Sequence, residues 1–255
     1  MQLHLGFDDF PKDVATVVTV GSFDGVHLGH RVLLDRVKQL ATRLKARSVV
    51  VTFEPHPRIA MGRAEGMGLL TTIEERAALL AEAGIDYVVV ARFDEKFRSQ
   101  SFEDFVRESL VGKLSMRGLV VGYNHRLGRG NEGRYETLLP IAKDCIFELE
   151  RVEQYLATGA KVSSTVVRAE LNRGNLCRAA ELLGHPYIIY GIANEGKIEL
   201  TNEHKLLPPD GSYRATVSRG TDSPALETLL HVDGVSLTLS ERIDGVLTVA
   251  LHDRA

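Results

Sequence analysis

Between residues 17 and 152 the hydrophobic positions fall into two alternating arrangements. Short unbroken runs, VVTV (17–20), SVVVTF (48–53), DYVVVA (86–91), GLVVG (118–122) and CIFELERV (145–152), are spaced by longer stretches. In those stretches, as in RVLLDRVKQLATRL (31–44), apolar residues recur every three or four places, the period of one helix face. Unbroken apolar runs are strands covered on both sides, so the pattern predicts a parallel sheet flanked by helices. Thr72 with Glu75, and Ser101 with Asp104, stand at capping spacing, and Gly84 marks a helix stop.

Beyond His185–Pro186 the period changes to two. YIIYGIA, SYRATVS, ETLLHV, VSLTLSE and VLTVALH read as antiparallel strands, with Asp233–Gly234 and Asp244–Gly245 as hairpin dipeptides. The expected organisation is an α/β domain over residues 1–186 and a small antiparallel β-domain, a partial barrel, over 187–255.

Composition narrows the class. The chain has 255 residues, 44% hydrophobic and 25% charged, the mixture of a soluble globular protein. A net charge of −3 gives no basic field for nucleic acid. The first residues carry no basic flank and apolar core of a signal peptide, and no run is long enough to span a membrane. Cys145, in a strand-like run, and Cys177, in a helix-like one, read as buried thiols of a reducing compartment. The expectation is a cytoplasmic protein with neither nucleic-acid nor membrane partners.

The candidate chemistry begins in GSFDGVHLGH (21–30), at the carboxyl end of the first predicted strand. Glycines let backbone approach a phosphate, and the following helix N-terminus favours negative charge. His27 and His30, three apart, would project from one face of a helical turn and could stabilise charge on a leaving pyrophosphate. Alone, the stretch is also readable as a capped turn with exposed histidines or as half of a metal site. VSSTVVRAEL (162–171) offers Ser163, Ser164 and Thr165 as helix caps and anion donors, with Arg168 one turn later.

Taken together, TVGSFDGVHLGH, TFEPHP, LLTTIEERAALLAEAGIDYVVVARFDEKF, VGYNHRLGRGNEG and VSSTVVRAEL…AAELLGHPY resemble the FAD synthetase module of the prokaryotic bifunctional riboflavin kinase/FMN adenylyltransferase family. The resemblance covers about the first 187 residues. It implies a Rossmann-like nucleotidylyltransferase fold and transfer of AMP from ATP to FMN, giving FAD and pyrophosphate, with Mg²⁺ accompanying ATP. His27 and His30 resemble the family's H-x-G-H pair, which faces the ATP phosphates. Ser164, Thr165 and Arg168 resemble its S-S-T-x-x-R element, with Ser163 beside them. Gly21, Ser22, Phe23, Asp24 and Gly29 match the nucleotide loop, and Pro55, His56 and Pro57 a loop on the flavin side. In the segment resembling G-x-D-F-R-F-G, Asn124 stands in place of Asp, and Arg126 is retained. No residue is assigned as a resident metal ligand.

The kinase module of that family should carry a G-x-P-T-A-N-like element soon after LLG-x-P-Y. Here YIIYGIANEGKIEL passes on without it, so loss of riboflavin phosphorylation is expected, the remnant serving as a buttress or a contact of a homo-oligomer. Two alternatives stay open: a nucleotidylyltransferase for another phosphorylated acceptor, and a non-catalytic flavin- or nucleotide-binding regulator.

Overall fold

The computed structural model describes residues 1–63, 66–123, 132–157, 160–220 and 224–255. The chain forms two units, one of residues 1–23, 29–65 and 77–155, the other of residues 24–28, 66–76 and 156–255.

The first unit is built on a six-stranded, wholly parallel sheet. Its strands are β1 (Gln2–Leu5), β2 (Thr16–Val20), β3 (Arg47–Glu54), β4 (Tyr87–Arg92), β5 (Met116–Gly122) and β6 (Glu148–Val152), in the order β1-β4-β3-β2-β5-β6. Its helical segments are α1 (Leu28–Arg43), α2 (Pro57–Ala60), α3 (Ile73–Glu82), α4 (Glu95–Ser99), α5 (Phe102–Asp104), with a π-helical continuation over Phe105–Lys113, and α6 (Tyr135–Cys145), except that Leu28 and residues 73–76 fall in the second unit.

The unbroken apolar strands have the predicted consequence of two covered faces. Val18, Val20, Val49, Val51, Val89, Leu119 and Val121 pack with Phe102, Phe105 and Leu138 on one side. Val17 and Val120 pack with Val37, Leu40 and Ala41 of α1 on the other. Both expected caps form: Thr72 and Glu75 bond reciprocally (N–H to Oε2 2.9 Å, N–H to Oγ1 3.4 Å), and Asp104 N–H reaches Ser101 Oγ at 3.0 Å.

Two readings are corrected, the extent of the fifth predicted strand and the burial of the cysteines. CIFELERV is a strand only from Glu148, because Cys145 closes α6 and Ile146 leaves it in the left-handed region (φ +56°). The cysteines are free but not buried thiols: Cys145 is half-buried, and Cys177 is exposed on the solvent side of an amphipathic helix. QLHL, of which the pattern makes no prediction, forms an additional edge strand, β1, too short to signal itself by period.

In the second unit, residues Leu156–Ala157 and Ala160–Lys161 make a two-stranded ladder (β7, β8). Two helices follow, α7 (Ser164–Asn172) and α8 (Leu176–Leu183). The remaining strands, β9 (Tyr187–Asn194), β10 (Lys197–Leu200), β11 (Gly211–Ser218), β12 (Leu226–Asp233), β13 (Ser236–Leu239) and β14 (Gly245–Arg254), close a barrel in the order β10-β13-β12-β11-β14-β9. The barrel is closed rather than partial because of β10, reached through the tight Glu195–Gly196 turn (φ +49° and +83°), which joins β9 to β13. Alternate residues point inward, and Tyr187, Ile189, Tyr213, Ala215, Leu230, Val249 and Leu251 fill the interior as packed core. Val167 and Leu171 of α7 and Leu176, Ala179, Leu182 and Leu183 of α8 belong to the same core.

Candidate functional site

Strand β2 lies centrally, between β3 and β5, where successive connections change direction across the sheet. Open parallel sheets bind ligands beyond the carboxyl ends of their strands at such a point. The stretch that leaves β2 there is GSFDGVHLGH.

Its outer parts belong to the first unit. Gly21 N–H bonds Val51 O at 3.0 Å, and Thr52 Oγ1 donates to Ser22 O at 3.1 Å. A Cβ on Gly21 would come within 3.1 Å of the Phe23 ring. That ring lies 5.0 Å from the ring of His30, which sits half-buried in the first turn of α1 beyond Gly29.

The central part, Asp24–Leu28, belongs to the second unit. Phe23, Gly25 and Val26 all have positive φ (+47°, +85° and +38°), a conformation costly for a β-branched residue such as Val26. What holds this backbone is the carboxylate of Asp24, 1% exposed. It accepts from Leu70 N–H (3.2 Å), Thr71 N–H (2.8 Å), Thr71 Oγ1 (3.1 Å) and the Arg168 guanidinium. Arg168 also donates its Nε–H to Gly68 O at 2.7 Å. Gly25 N–H bonds Thr71 Oγ1 at 3.0 Å, Ser164 Oγ donates to Asp24 O at 2.9 Å, and His185 Nε2 lies 3.1 Å from Gly25 O. The glycine–histidine stretch and the Ser163–Arg168 stretch, 144 residues apart at Asp24 and Arg168, are thus joined by a buried ion pair and a hydroxyl.

His27 is buried, contrary to the reading of the stretch as a turn with exposed histidines. Burial pulls its pKa down to about 4, with Arg168 adding to the effect and Asp24 opposing it. The imidazole is therefore neutral at pH 7, a hydrogen-bonding group and not a cation.

Ser163 forms the expected N-cap of α7, its Oγ 3.5 Å from Val166 N, and Thr165 is exposed in the first turn. Pro55, His56 and Pro57 follow β3 in the first unit, where His56 is buried and its Nδ1 accepts from Arg58 N–H at 3.2 Å, capping α2. Asn124 and Arg126 lie outside the described residues. Among the described residues no three His, Cys, Asp or Glu side chains come together as a metal-ligand set.

Sequence reasoning missed Gly68, Leu70, Thr71 and His185, the partners that fix the loop. Three of the four contribute backbone atoms or one hydroxyl, and such contacts leave no pattern in a sequence. It also missed Lys205 and read Glu75 only as a cap. Lys205 Nζ donates to Glu75 Oε2 (2.6 Å), Leu70 O (2.7 Å) and Ile188 O (2.7 Å), with both charged side chains fully buried.

A six-stranded parallel sheet flanked by helices, with a glycine–histidine loop leaving its central strand, defines a Rossmann-like α/β class of protein. Residues 10–166 match the FAD synthetase family. The chain is 36% identical over 175 residues to the bifunctional riboflavin kinase/FMN adenylyltransferase of Escherichia coli (strain K12), covering 69% of this chain and 56% of that one. It is 31% identical over 204 residues to a FAD synthetase of Listeria monocytogenes, covering 78% of this chain and 80% of that one. A solved structure described as a macrolide-efflux protein from Streptococcus pneumoniae has the same fold (TM-score 0.84, 21% identity, 99% of this chain and 90% of that one). The chain belongs to the FAD synthetase family. It spans little more than half the length of the bifunctional relatives it matches.

Proposed function

We propose that the chain is an FMN adenylyltransferase: it transfers the adenylyl group of ATP to the phosphate of FMN, yielding FAD and pyrophosphate. An FMN phosphate oxygen forms a bond to the α-phosphorus of ATP as the bond from that phosphorus to the β-phosphate oxygen breaks. The attacking oxygen is already anionic near neutral pH, so orientation and charge stabilisation carry the rate without a strong base. His27, His30, Ser163, Ser164, Thr165 and Arg168 are assigned to the ATP phosphates, with His27, His30 and Arg168 as the catalytic groups, and Gly21, Ser22, Phe23, Asp24 and Gly29 to the nucleotide loop. Neutral His27 would serve as an N–H donor to phosphate, so its part is directional. Pro55, His56 and Pro57, with Asn124 and Arg126, are assigned to FMN. Mg²⁺ would arrive with ATP and neutralise phosphate charge, chemistry that needs no resident cage of protein carboxylates.

The observation that supports this reading is the bonding of Asp24, three residues before His27, to Arg168 and Ser164 of the S-S-T-x-x-R helix. Riboflavin phosphorylation is proposed to be absent. Strand β9 turns at Glu195–Gly196 directly into β10, where the kinase module would carry P-T-A-N.

Incubation with Mg-ATP and FMN should yield FAD and pyrophosphate in equal amounts, and His30→Ala should abolish both while leaving the thermal melt intact. Pyrophosphate release only with a different phosphorylated acceptor, or tight FMN binding with no turnover, would overturn the reading. Riboflavin with ATP should give no FMN.

A further inference from the structure

The second unit contains a buried pair that the proposed reaction does not use. Lys205 lies in the segment between β10 and β11, and its ammonium is fully buried over the ring of Tyr187, 4.3 Å from the centroid. Two charges taken from water are costly unless every hydrogen-bonding position is filled. Here they are filled from three directions. Lys205 gives its donors to Glu75, Leu70 O and Ile188 O. Glu75 accepts from Lys205 and Thr72 N–H on one oxygen, and from Tyr190 N–H (2.7 Å) on the other. Ile188 and Tyr190 belong to barrel strand β9. Leu70 is held at both ends of its polar backbone, its C=O on Lys205 and its N–H on the carboxylate of Asp24. An unbroken series of hydrogen bonds therefore runs from β9 through Lys205 and Leu70 to Asp24, in the loop that carries His27. The 66–76 segment is further tied to the barrel side by Leu69, whose N–H bonds His204 O (2.7 Å) and whose O accepts from Leu206 N–H (2.8 Å).

We infer that Lys205 is a positioning residue, through which the barrel sets the conformation of the Asp24–His27 phosphate loop. The barrel then contributes to ATP recognition without touching ATP. This rests on the FMN adenylyltransferase reading for its kinetic consequence and on geometry alone for its structural one. The backbone it would restrain is the one with φ values of +85° at Gly25 and +38° at Val26, which relaxes when its restraints are removed.

Lys205→Met alone leaves Glu75 buried without its counter-charge and can fail to fold. The decisive protein is the double variant Lys205→Met/Glu75→Gln, which strands no charge. Hydrogen exchange by mass spectrometry should be faster by about tenfold or more in peptides over residues 22–30 and 66–76, and unchanged in β12 and β14. In the FAD-forming assay the ATP KM should rise about tenfold, with kcat and the FMN KM within about threefold of the parent. Unchanged exchange in residues 22–30 and 66–76 would overturn the inference. So would uniform acceleration across the barrel, which marks a merely structural pair, or an FMN KM that rises as much as that of ATP. If the parent protein forms no FAD, the adenylyltransferase reading fails by itself, and the exchange pattern still decides the role of Lys205.

Discussion

The pKa of His27 turns its burial into a measurable loss of stability in acid. In the unfolded chain the imidazole titrates near 6.5, whereas in the folded protein it resists protonation until about pH 4. Below pH 6.5 the unfolded state therefore binds a proton that the folded state does not, and stability falls as the pH falls. The slope approaches about 1.4 kcal/mol per pH unit within that window and ends near the folded pKa. Integrated from pH 7 to pH 5, the loss due to His27 alone is about 2 kcal/mol, a large share of a typical domain's stability. Carboxylates add their own acid dependence, so the assay has to be differential: urea unfolding of the parent and of His27→Gln at pH 7, 6 and 5. The two stabilities should converge by about 2 kcal/mol as the pH drops, because the Gln variant has no proton to take up. A direct check is the chemical shift of the His27 ring during titration, which should not move between pH 7 and pH 5. Parallel curves for the two proteins, or a ring that titrates at 6 or above, would refute the argument that burial governs this residue.

Further outcomes concern the packing around that loop. Arg168→Met should destabilise the second unit by about 3–5 kcal/mol by leaving the buried Asp24 carboxylate without its counter-charge, and a urea-derived loss under 1 kcal/mol would contradict the ion-pair description. Gly25→Ala places a Cβ 2.7 Å from Leu70 Cδ1 and 3.2 Å from Leu183 Cδ2 at a φ of +85°, so it should cost about 1–3 kcal/mol and raise the ATP KM, as measured by thermal melting and kinetics. Gly191→Ala puts a Cβ 2.5 Å from Ile198 Cγ2 and 2.7 Å from Glu199 O at the β9–β10 seam. It should lower the melting temperature by several degrees with no change in the ratio of ATP to FMN KM.

What could be read from the sequence followed from local patterns. VVTV and SVVVTF announce doubly covered strands, and the Asp-Gly pairs announce hairpins, since the information lies within a few residues. The closing strand β10 was hidden because Lys197–Leu200 shows too short an alternation, and its turn carries Glu-Gly. Cys145 closes α6, yet the apolar tripeptide Cys145–Phe147 at that helix end has the pattern of the strand beyond it. At the candidate site the side chains were legible but their partners were not. Asp24 meets Leu70 and Thr71 across 46 and 47 residues and Arg168 across 144, and nothing in the chain signals such pairings. The neutrality of His27 and the burial of Lys205 are properties of surroundings, invisible in a residue's identity.

The division of the chain bears on how such proteins can be recombined. The path changes unit after Phe23, Leu28, Glu65, Arg76 and Tyr155, so no single cut separates one unit from the other. A chimera that exchanges only residues 187–255 with a relative sets a foreign strand β9, and whatever residue replaces Lys205, against the native Glu75 and Leu70. A graft that keeps the second unit whole has to transfer residues 24–28 and 66–76 together with everything from 156 onward. The inheritable module is thus three stretches of sequence, and a crossover at His185–Pro186 divides it.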